Sequence, residues 1–168
     1  MFDRHCLDKA RAVIERCRGD GITAATAESC TGGLVCAALT AIAGASDVVQ
    51  CGYVTYSNEA KTAMLGVPAE VIADNGAVSE IVARHMAEGA IEASGVGIAV
   101  SVTGIAGPGG GSPEKPTGLV HIACARAGQP TLHQRFEFGD RGRDRVRILS
   151  VHAALDLMLH QLGQPMVA

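Results

Sequence analysis

Ile22-Thr-Ala-Ala-Thr-Ala-Glu-Ser-Cys-Thr-Gly-Gly-Leu34 decides how the chain folds. Residues 22–27 are apolar or β-branched, which predicts a strand. Glu28, Ser29, Cys30 and Thr31 break the run, Gly32 and Gly33 turn the chain, and residues 32–42 continue as a helix. Strand, tight turn and helix in that order predict a nucleophile or ligand site at the carboxyl end of a strand, where open α/β sheets bind their ligands. The N–H groups at a helix start favour an anion or a developing oxyanion. Two readings of the turn stand side by side here: Ser29 or Thr31 caps the helix, or Ser29 is a nucleophile.

Composition sets the bounds. The chain has 168 residues, 48% of them hydrophobic, which suffices for one domain with a real core over 1–168. Trp is absent and aromatics make up 3%, so the core must be built from Ala, Val, Ile and Leu. A formal charge of -3 offers no general attraction to nucleic acid or to an anionic membrane. The apolar runs are too short to span a bilayer. Met1-Phe-Asp-Arg-His5 lacks the apolar stretch of a secretory signal, so a cytoplasmic location is expected. The six cysteines are scattered without a C-x-x-C pair, which argues against zinc and redox motifs.

Outward from the opening stretch, the pattern predicts helices over 3–18, 59–65 and 79–93, with a further helical turn in 68–74 and a last helix over 143–162. Strands are predicted over 48–56, 97–103, 117–125 and 131–138, the last two joined as a hairpin. In the 79–93 helix, Ile81, Val82, Met86, Ala90 and Ile91 are expected inside, and Glu80, Arg84, Glu88 and Glu92 outside. Alternating helices and strands imply parallel pairing, and the hairpin brings an antiparallel member near one edge. The expected fold is α/β: a three-layer α/β/α domain with a mostly parallel, mixed sheet of about five strands.

Three segments leave carboxyl ends of strands and are expected to converge: 28–33, 56–61 and 103–115. A hydroxyl nucleophile needs a base. Lys61 is the candidate, provided that burial or a positive field keeps it neutral. Tyr56 is a candidate to relay a proton or polarise the serine; the alternative is a surface lysine and a core tyrosine. None of the six histidines falls in the three segments, which disfavours a Ser-His-Asp triad and a histidine-bound metal. The glycine loop after residue 103 misses the P-loop pattern, because Gly110 stands where lysine is required. It still allows close backbone approach to a ligand, and Lys115 is placed to close over one. The arginines of Asp140-Arg-Gly-Arg-Asp-Arg-Val-Arg147 are candidates for an anionic partner.

With those residues in view, the chain resembles the CinA carboxy-terminal domain family. The resemblance rests on Thr26-Ala-Glu-Ser-Cys-Thr-Gly-Gly33, Tyr53-Val-Thr-Tyr-Ser-Asn-Glu-Ala-Lys61, Gly76-Ala-Val-Ser-Glu80, Ser101-Val-Thr-Gly-Ile-Ala-Gly-Pro108 and Gly110-Gly-Ser-Pro-Glu-Lys-Pro116. It implies a stand-alone nicotinamide-nucleotide amidase, which converts nicotinamide mononucleotide to nicotinate mononucleotide and ammonia in pyridine-nucleotide recycling without a metal or cofactor. It implies Ser29 as nucleophile, Lys61 as base and Tyr56 as assistant, with an oxyanion site near Thr31 and Gly32. Asn58, Thr103 and Gly104, with Gly33, are expected to line the pocket, Glu28 to orient ribose or Lys61, and Arg141 or Arg143 to meet the phosphate. Longer members carry an additional amino-terminal domain like those that bind molybdopterin; no counterpart is expected within these residues. Here Gly139-Asp-Arg141 and Val146-Arg147 are separated by a longer spacing than in the family pattern. A homo-oligomer is expected. The competing readings are a non-catalytic nucleotide-binding or regulatory module, and an enzyme in which Cys30 is the nucleophile.

Overall fold

Alternation along the first strand sorts the helices into two layers. β1 (Ala24–Glu28) is buried along its whole length. Ala25 and Ala27 face one side, in a core with Leu65, Val82, Met86 and Ala90. Ala24 faces the other, in a core with Val13, Ile14, Leu39 and Val151. Successive strand residues point to opposite faces, so β1 is the partition between the two cores. The structure, a computed structural model, describes residues 2–163.

Helices α1 (Arg4–Asp20), α2 (Leu34–Thr40) and α6 (Arg143–Gln161) form one layer. Helices α3 (Asn58–Leu65), α4 (Ala69–Asn75) and α5 (Glu80–Ser94) form the other. Between them lie β1, β2 (Val49–Val54), β3 (Ile98–Gly104), β4 (Leu119–Arg126) and β5 (Leu132–Glu137), in the order β2-β1-β3-β4-β5. β1 is parallel to both β2 and β3, and β4 is antiparallel to β3 and β5. Four of the five strands therefore run the same way, with β4 opposed one place in from the edge. This is the three-layer mixed α/β architecture expected from the alternation of elements.

Caps define the helix starts. Asp3 accepts the Cys6 N–H at 2.7 Å to open α1, and Ser57 accepts the Ala60 N–H at 3.1 Å to open α3. The differences from expectation lie near the site. β1 starts at Ala24 instead of 22, and it takes in Glu28, a carboxylate buried inside a sheet. The second helix begins only at Leu34, because Gly32 and Gly33 hold φ of 60° and 94°, outside the helical region. β2 ends at Val54, which leaves Tyr56 in the connection to α3. Ile81 is 40% exposed instead of inward; Ala83 and Ala87 take the inner positions on α5. Small side chains there let the helix lie close to the sheet.

Candidate active site

The alternation that divides the cores also divides Glu28 from Ser29. Glu28 shares a face with Ala24 and Thr26; Ser29 continues the face of Ala25 and Ala27, toward α3. The Ser29 N–H donates to the Val102 carbonyl at 2.9 Å, which extends the β1–β3 ladder by one residue and fixes the serine main chain.

On that side Ser29 meets Lys61. The lysine Nζ lies 3.2 Å from the Ser29 Oγ, 2.8 Å from the Thr55 carbonyl oxygen and 3.5 Å from the Ser57 carbonyl oxygen. Lys61 is 1% exposed and is among the largest fully buried side chains of the chain. Burial lowers its pKa from the ordinary lysine value, against smaller opposing effects from the Cys30 thiol and then the Glu59 carboxylate. Among the described residues no carboxylate pairs with it. A neutral amine in this place donates to the carbonyls and accepts the serine proton, so the pair has the geometry of a nucleophile and its base.

Glu28 has a different task from the one expected. One carboxylate oxygen, Oε2, accepts the N–H groups of Gly33 and Val35, each at 3.0 Å. Oε1 accepts the Cys36 N–H at 2.8 Å and the Thr26 hydroxyl at 3.1 Å. The carboxylate thus closes the start of α2, whose own cap residue, Gly33, has no side chain to do so. It is neither free to orient a ribose nor bonded to Lys61. Ser29 and Thr31 do not cap the helix: the serine hydroxyl faces Lys61, and the buried Thr31 Oγ1 has no hydrogen-bond partner among the described residues.

The glycine amides are also committed. The Gly32 N–H donates to the Ser29 carbonyl at 3.0 Å, and the Gly33 N–H to Glu28. The Gly32 half of the expected oxyanion site is therefore occupied by the turn itself. The Thr31 N–H donates to no described residue.

Cys30 is 5% exposed, and burial pushes its thiol up to about 12. No thiolate is available there near neutral pH, so the geometry does not favour it as nucleophile.

Two arginines one helical turn apart on α6 close on the turn. Arg147 Nη2 donates to the Thr31 carbonyl at 3.0 Å, and its buried Nε has no hydrogen-bond partner among the described residues. Arg143 donates from Nη1 to the Gly107 carbonyl at 2.9 Å and from Nη2 to the Tyr56 hydroxyl. Arg141 points away: it is exposed, and its Nε donates to the Phe138 carbonyl at 2.9 Å. Of the arginines in this stretch, Arg147 reaches the turn, whereas Arg141, one of the two expected at the phosphate, does not. The spacing of four between Arg143 and Arg147 was the available signal.

The remaining expected residues scatter. Tyr56 is 59% exposed and is bonded to Arg143, with no hydrogen bond to Ser29 or Lys61 among the described residues. Asn58 is exposed at the start of α3 and borders a cleft of about 250 Å³ with Glu59, Thr62 and Ala69. The Thr103 hydroxyl donates to the Ala77 carbonyl at 2.8 Å, toward α5. Gly104 is required by close packing: a Cβ there would lie 2.8 Å from the Leu119 carbonyl oxygen. The Lys115 Nζ donates to the Asn75 carbonyl at 2.6 Å, which ties the glycine loop to the end of α4. Among the described residues no group of three or more His, Cys, Asp or Glu side chains is arranged to hold a metal ion, and no helix is long and apolar enough to cross a membrane.

Known proteins share this arrangement of sequence and fold. Residues 7–162 match the family model described as the CinA C-terminal domain. A CinA-like protein of Citrifermentans bemidjiense is 53% identical over 161 residues, which cover 95% of this chain and 38% of that protein. One from Anaeromyxobacter dehalogenans is 51% identical over 147 residues, 87% of this chain and 35% of that protein. The chain thus spans little more than a third of the length of these relatives. Among solved structures, the competence/damage inducible protein CihA from Agrobacterium tumefaciens superposes with a TM-score of 0.94 at 49% identity, covering 98% of this chain and 99% of that one. A CinA superfamily protein from Escherichia coli superposes with a TM-score of 0.89 at 33% identity, covering 96% and 93%. The chain belongs to the CinA family.

Proposed function

We propose that this domain is a serine–lysine amidohydrolase that removes ammonia from the carboxamide of nicotinamide mononucleotide. The observation that carries the reading is the pair at the end of β1: a fully buried Lys61 with a lowered pKa, 3.2 Å from the Ser29 hydroxyl.

In this reading neutral Lys61 takes the Ser29 proton as Oγ attacks the carboxamide carbon. The carbonyl π electrons move onto oxygen, and an N–H of the turn, with Thr31 the free candidate, stabilises the oxyanion. The oxyanion collapses, the C–N bond breaks, and the proton on Lys61 leaves with the nitrogen as ammonia. Water then adds to the acyl carbon and gives a proton to Lys61. The ester C–O bond breaks, that proton returns to Ser29, and nicotinate mononucleotide departs. Atoms and charge balance with water as the only other reactant. The guanidinium of Arg143, at the rim beside Tyr56, is the group offered to the phosphate, and Tyr56 is a wall of the mouth.

The test is ammonia release from nicotinamide mononucleotide by wild type, Ser29→Ala and Lys61→Ala. Loss of a nucleophile or its base is expected to lower kcat by on the order of 10⁴–10⁶-fold. Full activity in Ser29→Ala sinks the mechanism. Tight binding of the nucleotide without turnover replaces it with a non-catalytic binding module.

A further inference from the structure

Accepting the serine–lysine reading of the site, we infer that Glu28 is its positioning residue: an internal anion that holds both halves of the pair while touching neither side chain. Its carboxylate accepts four hydrogen bonds, three from the main chain of Gly33, Val35 and Cys36 and one from the Thr26 hydroxyl. Its own main-chain carbonyl accepts the Thr55 N–H at 2.8 Å, and the Thr55 carbonyl accepts Lys61 Nζ at 2.8 Å. Side chain and main chain of one residue therefore reach the two ends of the site. The carboxylate closes the turn that displays Ser29. The carbonyl fixes the peptide that orients Lys61.

The turn has few other restraints. It is bounded by the Ser29 N–H bond to Val102 at its start and by the Glu28 carboxylate at its end, with the Gly32 N–H closing it internally and Arg147 Nη2 donating to the Thr31 carbonyl at 3.0 Å. Gly32 and Gly33 supply the positive φ values that the turn needs, and the freedom of glycine gives nothing toward rigidity. Glu28 is 1% exposed, so water is not at hand to replace the carboxylate on the amides. Without it the start of α2 opens, and the serine moves against a lysine held from the opposite core. This arrangement also means that the first amides of α2 are already supplied with an anion, and the substrate's charge must be met elsewhere.

The experiment is Glu28→Gln in the full chain, with Thr26→Val as a milder second variant that removes one donor and keeps the strand. Three measurements are made: kcat and KM for nicotinamide mononucleotide, amide hydrogen exchange, and the rate at which a phosphonofluoridate labels Ser29. In Glu28→Gln, kcat is expected to fall about 100-fold through misplacement of the nucleophile, with KM changed by less than about threefold. Labelling of Ser29 slows in parallel, and the amides of Gly33, Val35 and Cys36 lose their protection while β1 and β3 keep theirs. Thr26→Val moves all three readouts the same way by a smaller amount. A rise in KM with kcat intact, and with those amides still protected, overturns the inference, because it would make Glu28 a substrate ligand. Unchanged kcat and labelling in Glu28→Gln also overturn it. If Glu28→Gln does not fold, the decision falls to Thr26→Val and to wild-type exchange: fast exchange at the three amides sinks the idea. If wild type does not hydrolyse the nucleotide, the substrate proposal fails, while exchange and Ser29 labelling still judge Glu28.

Discussion

Two buried ionisable groups meet at the end of β1 from opposite cores, and they are treated in opposite ways. Glu28 and Lys61 are each 1% exposed. The carboxylate receives four donors, three of them amides at the start of a helix, where the peptide dipoles present their positive end. The lysine is given neutral acceptors only, two carbonyls and a hydroxyl, and its pKa is pushed down by burial. Equal burial therefore does not mean equal chemistry. A charge whose bonds replace its lost hydration serves as a fixed part of the frame. A charge left without a counter-ion is biased toward its neutral form, which is the form that accepts a proton.

The sharpest way to break this comparison is to remove each group. Lys61→Met is expected to lower amide hydrolysis by on the order of 10⁴-fold or more, while its thermal midpoint at pH 7 equals or exceeds that of wild type, because an uncompensated buried amine is lost. Glu28→Leu is expected to cost about 3 kcal/mol or more by stranding three amides. Equal destabilisation by the two substitutions, measured by denaturant titration, would end the distinction. The pH dependence adds to it. The folded-state pKa of Lys61 lies below its unfolded value, so the unfolded chain binds more protons between the two. Stability therefore rises with pH from the depressed value up to about 10.4, and is lost as pH falls through that window. Calorimetry is expected to show this slope for wild type and to lose it in Lys61→Met. If Lys61 is the base, as proposed, the rising limb of kcat/KM is expected below the ordinary lysine range.

A subtler break moves the lysine without touching it. A Cβ at Gly89 of α5 would lie within van der Waals overlap of the Leu65 carbonyl oxygen, at the end of the helix that carries Lys61. Helix propensity alone favours Gly89→Ala by about 1 kcal/mol. The clash is expected to reverse that, with a loss of about 1–3 kcal/mol and a fall in kcat of about tenfold or more. A stabilised, fully active Gly89→Ala would show that α3 does not depend on this contact.

His121 offers a third buried ionisable group for comparison. Its pKa is pushed down to about 4, first by burial and then by His133 and Arg135. His133, 3.0 Å away and facing Glu80, is lowered too. The unfolded histidine, near 6.5, binds the proton first, so stability falls as pH drops from about 6.5 toward 4. His121→Gln is expected to flatten that part of the unfolding curve, and an unchanged slope would remove the histidine pair from the account.

The smallest effect is expected at Cys30, where burial holds the thiol protonated. Cys30→Ala should keep activity within about tenfold of wild type, and iodoacetamide should leave wild type active. Rapid inactivation by the reagent would return the cysteine to the chemistry.

The elements were legible because hydrophobic period and punctuation agree over most of the chain: Asp3, Ser57 and Ser79 all cap the helices they precede. Ser29 and Lys61 were legible as a pair because only one base candidate follows a neighbouring strand so closely. The place of Glu28 is not legible in the sequence, because residue type argues against a carboxylate inside a sheet and only the fold supplies the α2 amides that make it tolerable. Tyr56 was placed by its position in sequence, five before Lys61, whereas the end of β2 turns it toward Arg143. Arg147 was hidden by abundance: several arginines crowd one stretch, and which of them face the turn depends on where α6 begins. Ile81 fits the helical period as well as Val82 does, yet α5 rests on the sheet through its alanines, which turns Ile81 out.

The two-residue period of β1 has a consequence for how this domain tolerates change in length. The strand acts as a reading frame: even positions address the α2 core, odd positions the α3 core. One residue inserted or deleted between Ala24 and Ser29 exchanges the two addresses, sending the hydroxyl toward the α2 amides and the carboxylate toward the lysine. A point substitution there damages one function, but a shift in frame removes the proposed nucleophile and its support together. Added length is expected to be tolerated in the exposed 108–114 segment far better than in these few residues.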